Sequence, residues 1–271
     1  SMSNLLMYVV SPCILIVVFQ RPLETETFHN FWVALLAALV IHGINILVSE
    51  LVIRDRDPMR KSFFRFSAIF SNCGFMGYPV MTSLIGTIGV FYGSAYNVIF
   101  TVLSWTYGIY AITGDKTQLK LRPLLLNPGV ISIVLALALY LLEITLPDII
   151  MTPATYLSAL NTPLPMVVVG SQLSHADFRA ALKGASSWIT MLLRLVAFPL
   201  LSLGICLALG LNSDLTMVLV IAASAPAAAL LSMLSAKFEL DSELASSMVS
   251  VQTAFSALTM PLVVSLVDYL A

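Results

Sequence analysis

Apolar runs of about twenty residues, the length that crosses a hydrocarbon core about 30 Å thick, recur along this whole chain. In such a solvent every backbone N–H and C=O must find an internal partner, so the spanning elements are predicted to be helices. Composition agrees, since 10% of the 271 residues are charged where a soluble domain carries about 25%. The predicted fold is therefore an all-α polytopic membrane protein. The near-neutral charge balance gives no indication of a nucleic-acid partner. Cys13, Cys73 and Cys206 all lie in apolar runs without metal-like spacing, which argues against a disulfide framework or a zinc site. No cofactor and no metal are predicted.

Nine spans are expected, at 3–19, 30–53, 63–85, 89–113, 127–146, 152–173, 186–209, 215–236 and 244–270. Their connections alternate in charge. Arg54, Arg56, Arg60, Lys61 and Arg65 follow the second span, Lys116, Lys120 and Arg122 the fourth, and Arg179 and Lys183 the sixth. The positive-inside rule makes these connections cytoplasmic. Glu24 and Glu26, Glu143 and Asp148, and Asp214 mark the connections expected outside. The N-terminus is thus predicted to be cytoplasmic and the C-terminus outside, in the cell membrane.

The third span contains Ser71-Asn-Cys-Gly-Phe-Met-Gly-Tyr-Pro79, an asparagine, two glycines and a proline inside an apolar stretch. A break at membrane depth is tolerated only where protein or a water-filled cavity covers the freed backbone groups, so it points to a binding site. The eighth span has a comparable Ala225-Pro226 in a run of Ser and Ala. Pro12 and Pro163 are 151 residues apart, and Pro79 and Pro226 are 147 apart. Partners one period apart run in opposite directions, as an inverted-topology repeat requires. On that period the second copy has five spans and the first four. The helix that should partner 127–146 is absent from the first copy.

The string Asn72 to Pro79 resembles the N-x-G-F-x-G-x-P element of the auxin efflux carrier family. Asn127-Pro128-Gly-Val-Ile, the stretch from Pro163 to Leu173 with Gly170 and Gln172, and Pro226 to Leu262 with Thr253 and Met260-Pro261 are similar to further family elements. The resemblance implies two inverted five-helix repeats, a fold related to bile-acid symporters and sodium/proton antiporters. Its two broken helices cross at their prolines, here matched by Pro79 and Pro226. It also implies a carrier of carboxylates such as malate, malonate or auxin-like acids, working as a homodimer in the lipid bilayer with H+ or Na+ coupling or as a uniporter. Segments 1–19 and 122–174 would form a scaffold. Segments 30–113, with the broken helix 63–85, and 184–270, with the broken helix 215–236, would form the two halves of a transport domain. The alternative is a ligand-sensing membrane module of the same fold that does not transport. An enzyme is not expected, because no catalytic constellation occurs in the apolar runs.

At such a crossing, half-helix N-termini offer free N–H donors to a carboxylate without any lysine or arginine. Asn72 adds an amide, Gly74 and Gly77 allow close backbone approach, and Ser224 is the polar neighbour of the second break. Asn72 can equally form an interhelical hydrogen bond, and Gly77 and Pro79 can simply make the break. Asn97, Thr101 and Ser104 share one helical face, and Gln252, Ser256 and Thr259 repeat that spacing on the last span. Each stripe either lines the site or packs helices together. Arg194 lies within the seventh span, where a charge costs on the order of 3 kcal/mol. It can bind substrate, pair with an acid, or snorkel. His42 and Asn45 share a face of the second span, and Glu50 is expected to pair with Arg54 four residues on. The broken helices themselves contain no Asp or Glu with which to build a paired-carboxylate ion site.

Overall fold

A computed structural model of the chain describes residues 2–118, 125–174 and 178–270. Lys120 and Arg122 lie outside the described residues, as do the side chains of Lys116, Gln172 and Arg179. All the named elements are helical: α1 Leu6–Phe19, α2 Thr25–Val52, α3 Pro58–Ile69, α4 Cys73–Ile85, α5 Thr87–Thr113 and α6 Pro128–Leu141. They continue with α7 Asp148–Ala159, α8 Pro163–Ser174, α9 Ala185–Ala208, α10 Ser213–Ser224, α11 Leu230–Lys237 and α12 Ser242–Leu270. Among the described residues, α2, α5, α9 and α12 are long and apolar enough to cross a membrane, and α1, α4, α6 and α10 are shorter apolar helices.

Local chemistry starts several of these helices. Asp57 and Asn127 each precede a proline at the first helical position and accept two backbone N–H groups, at 2.9 and 3.3 Å and at 2.8 and 3.4 Å. Asn212 caps α10 through Leu215 N–H at 2.9 Å. Such caps satisfy donors that the first turn leaves free, and proline at the first position sacrifices none.

Helix α5 is central: it packs on α2, α4 and α10, while α1 packs on α6 and α7, and α9 and α12 pack on α10. One core gathers Phe19, Phe31, Phe91 and Tyr140 from four helices, with ring centroids 4.5 Å apart for Phe19–Phe91 and 5.4 Å for Phe91–Tyr140. Arg21 stacks over Phe91 at 5.0 Å. A second core, around Phe63, Phe66, Phe70 and Phe198, lies on the other side of the chain breaks. The two cores bracket an interior that the interrupted helices cross.

One local expectation is corrected. Glu50 pairs with Arg65 and accepts from the Tyr107 hydroxyl at 2.6 Å, rather than pairing with Arg54. Helix α2 ends at Val52 and Ile53 is extended (φ −80°, ψ 110°), so the i, i+4 geometry that Arg54 requires is lost.

The closest approach of a glycine to aromatic rings is at Gly108, where a Cβ would lie 2.8 Å from Phe66 Cε2 and 3.1 Å from Phe70 Cε2. Gly108→Ala is expected to destabilise the protein by about 1–3 kcal/mol, as overpacking against rigid rings does. Thermal unfolding in detergent reads it, and an unchanged midpoint would mean that the rings give way freely.

Candidate functional site

Two helices stop in the interior, at Phe70 and at Ala225, and both residues turn extended (φ −98°, ψ 111° and φ −60°, ψ 145°). The freed backbone groups are paired with each other. Asn72 N–H donates to Pro226 O at 2.7 Å and Ala228 N–H donates to Phe70 O at 2.9 Å, closing an antiparallel bridge between Ser71 and Ala227. In an apolar interior each unmade bond would cost several kcal/mol, so the two breaks stabilise one another. Beyond the bridge the chains resume as α4 and α11. Asn72 O accepts from both Met76 at 3.0 Å and Gly77 at 3.3 Å, the wider π-turn that opens α4.

This corrects the expected crossing point. Pro226 takes part, through its carbonyl, but Pro79 sits two turns into α4, buried at the point where the π-turn becomes regular helix. Ser71 and Asn72, not Tyr78 and Pro79, make the first break. A proline is tolerated at Pro79 because the wide turn before it leaves its missing N–H without consequence.

The C-terminal ends of α3 and α10 converge on one side of the bridge, and Arg194 meets them there. Its Nη1 donates to Ala68 O at 2.9 Å and to Ile69 O at 3.1 Å, and its Nη2 donates to Ala223 O. The side chain is fully buried, its guanidinium lies 6.0 Å from the Phe198 ring, and Tyr96 lies beside it. Arg194 is the second residue of a π-turn, Leu193–Ala197.

The N-terminal ends of α4 and α11 converge on the other side, and there a cavity of about 120 Å³ opens. Asn72, Gly74 and Phe75 line it from one break, and Ala228, Ala229, Leu230 and Met233 from the other. Facing them are Met7 and Ser11 of α1, Asn97, Thr101 and Trp105 of α5, and Asn127 and Gly129 at the start of α6. Three amides, the four hydroxyls of Ser11, Ser71, Tyr78 and Thr101, and helix-start N–H groups thus surround a partly aromatic space, and none of the residues that line it is charged. The space continues along α5 past Leu15, Tyr78 and Ser94.

Of the predicted residues, the cavity therefore brings together Asn72, Gly74 and Asn97. Arg194 is held on the opposite side. Ser224 is buried on that side too, its hydroxyl returned to Val220 O at 2.6 Å. Gly77 faces Met81 and Cys73, 3.5 and 3.8 Å from where its Cβ would be. Gln252 is buried near Ser187 and Thr190, away from the cavity, and Ser256 bonds back to Thr253 O at 2.7 Å. His42 is buried, with Nδ1 2.8 Å from Ala38 O and its ring 4.6 Å from that of Tyr96. Sequence reasoning passed over Ser11, Trp105 and Asn127 as lining groups. For Asn127 a signal existed, because the cap that starts α6 is also the residue at the mouth.

Known proteins share this chain's pattern. A family model described as membrane transport protein matches residues 1–123 and 116–264. An uncharacterized transporter of Methanocaldococcus jannaschii is 26% identical over 276 residues, which cover 96% of this chain and 87% of that protein. A second, from Methanothermobacter thermautotrophicus, is 30% identical over 203 residues, 72% of this chain and 65% of that protein.

The two sides of the bridge are expected to differ in access to water, since Ala229 and Thr101 line the cavity and Ser224 does not. With Cys13, Cys73 and Cys206 replaced by alanine, Ala229→Cys and Thr101→Cys are expected to react with a small water-soluble thiol reagent, and Ser224→Cys to stay unmodified. Equal labelling of all three would contradict the division.

Proposed function

The chain belongs to the membrane transport protein family, that of the auxin efflux carriers, and on that footing we propose that it is a secondary carrier of small organic anions. The cargo is a carboxylate such as malate, malonate or an auxin-like acid, held in front of the bridge. One observation carries this reading: the N-terminal ends of α4 and α11 point into one cavity together with the amides of Asn72 and Asn97. Helix starts carry about half a positive charge each and present unpaired N–H groups, so an anion is favoured there without a lysine or arginine. Phe75, Phe100 and Trp105 supply the apolar wall against which a carbon skeleton packs.

The nine expected segments cross the membrane, in this reading, as two copies of opposite orientation, with α1, α6, α7 and α8 as scaffold and the remaining helices as the moving domain. The connections rich in Arg and Lys face the cytoplasm of the cell membrane, with the N-terminus inside and the C-terminus outside. Trp105 lines the cavity and has Lys237 5.4 Å above its ring, which supports an opening toward the cytoplasmic side. The aromatic group Phe19, Phe31, Phe91 and Tyr140 joins scaffold to moving helices at the other end. Those rings part when the site turns outward.

Uptake of labelled malate, malonate and indole-acetate into proteoliposomes tests the reading. Saturable flux of at least one acid is expected, with Asn72→Ala weakening its apparent affinity about ten- to a hundredfold, as loss of a hydrogen bond to a charged group does. Folded protein that gives no saturable flux of any carboxylate would overturn it, and unchanged affinity in Asn72→Ala would remove Asn72 from the site.

A further inference from the structure

Arg194 is a full positive charge with no side-chain counter-ion on the helices it holds. Neither the stretch from Pro58 to Ile85 nor that from Leu215 to Lys237 contains an Asp or Glu. Its partners are the carbonyls of Ala68, Ile69 and Ala223. These are the last carbonyls of α3 and α10, which their own helices leave without donors. Each helix end carries about half a negative charge, so two together match one guanidinium. Converging carbonyl oxygens of this kind are also what a small hard cation takes as ligands.

We propose that Arg194 is a tethered cation. It occupies the place where the crossing would otherwise bind a free monovalent cation, and so makes the crossing itself independent of a dissolved coupling ion. Three of its N–H groups do the work of an ion's coordination shell, and the covalent link prevents its release during a transport cycle. The side chain reaches out from α9, within the π-turn Leu193–Ala197, so the positioning residue comes from a third helix and joins the ends of the other two. A neutral residue at this position leaves carbonyls from both half-helices bare, with Tyr96 beside them.

The inference holds whatever the cargo, and its test uses none. Thermal unfolding of purified protein in detergent is followed in choline, potassium, sodium and lithium chloride at constant ionic strength. The parent protein is expected to melt within about 1 °C of the same temperature in all four. Arg194→Met is expected to melt lower in choline and to recover saturably, by about 5 °C or more, in sodium or lithium. Arg194→Lys keeps the charge and is expected to stay indifferent to the salt. A saturable sodium stabilisation of the parent protein or of Arg194→Lys would overturn the proposal, as would an Arg194→Met equally unstable in every salt. If Arg194→Met fails to fold, the first two measurements still decide. A purely structural arginine would lower stability without giving the variant a preference among cations. Absence of carboxylate flux in proteoliposomes would leave these melting curves unaffected, so the two readings fail separately.

Discussion

Two helices that stop inside an apolar layer each leave backbone groups that water cannot reach, and the rest of this molecule is arranged around their mutual satisfaction. The bridge between Ser71 and Ala227 supplies two backbone hydrogen bonds, and Arg194 closes three more carbonyls. Neither break is tenable alone, because each uses the other as its partner. This explains why 153 residues of intervening chain must deliver Pro226 beside Asn72, and why α5, which packs on α2, α4 and α10, is the most enclosed of the four long helices among the described residues. Small residues make the approach possible: Ala225, Ala227, Ala228 and Ala229 flank the second break and Gly74 the first.

The bridge also sorts charge. Helix ends of one polarity face Arg194 and ends of the other polarity face the cavity, so a neutral backbone feature becomes a negative pole on one side and a positive pole on the other. The dry side can be compensated permanently, since nothing enters or leaves it. The cavity side is left uncompensated, and that is the physical basis of the proposed anion site, which no charged side chain lines. A lysine or arginine in the cavity would bind a carboxylate more strongly and release it more slowly, whereas helix ends and amides attract an anion with less desolvation to reverse.

Much of this was legible in the residues, and the failures have physical causes. The long apolar runs located the helices, and Asn72 and Pro226 marked both breaks. Pro79 misled because a proline is the more familiar helix breaker, while here the extended backbone at Phe70 and the non-helical turn at Asn72 do the breaking and the proline follows harmlessly. Helical spacing placed Asn97 and Thr101 on one face and that face does line the cavity. The same spacing for Gln252 and Ser256 gave a face that packs against other helices. In a helix apolar all round, periodicity identifies a stripe without telling which neighbour it meets. Arg194 was visible as a costly intramembrane charge, but its partners are main-chain carbonyls, and these have no signature in side-chain chemistry.

The π-turns show how direction was set where periodicity could not set it. Cys73–Gly77 begins α4, Ser104–Gly108 lies in α5 beside Trp105, and Leu193–Ala197 carries Arg194. Each inserts one extra residue into a turn, which rotates everything beyond it by about 100° relative to a regular helix. Asn97 and Trp105 differ by eight positions and fall about 80° apart on a regular helix, near enough for both to line one cavity, while the wide turn beginning at Ser104 redirects the residues after it. Arg194 lies at the start of its own wide turn, and its side chain reaches the carbonyls beside the bridge. The wide turns are therefore the local devices by which straight apolar helices, each free to rotate in a uniform solvent, acquire a fixed orientation around the crossing.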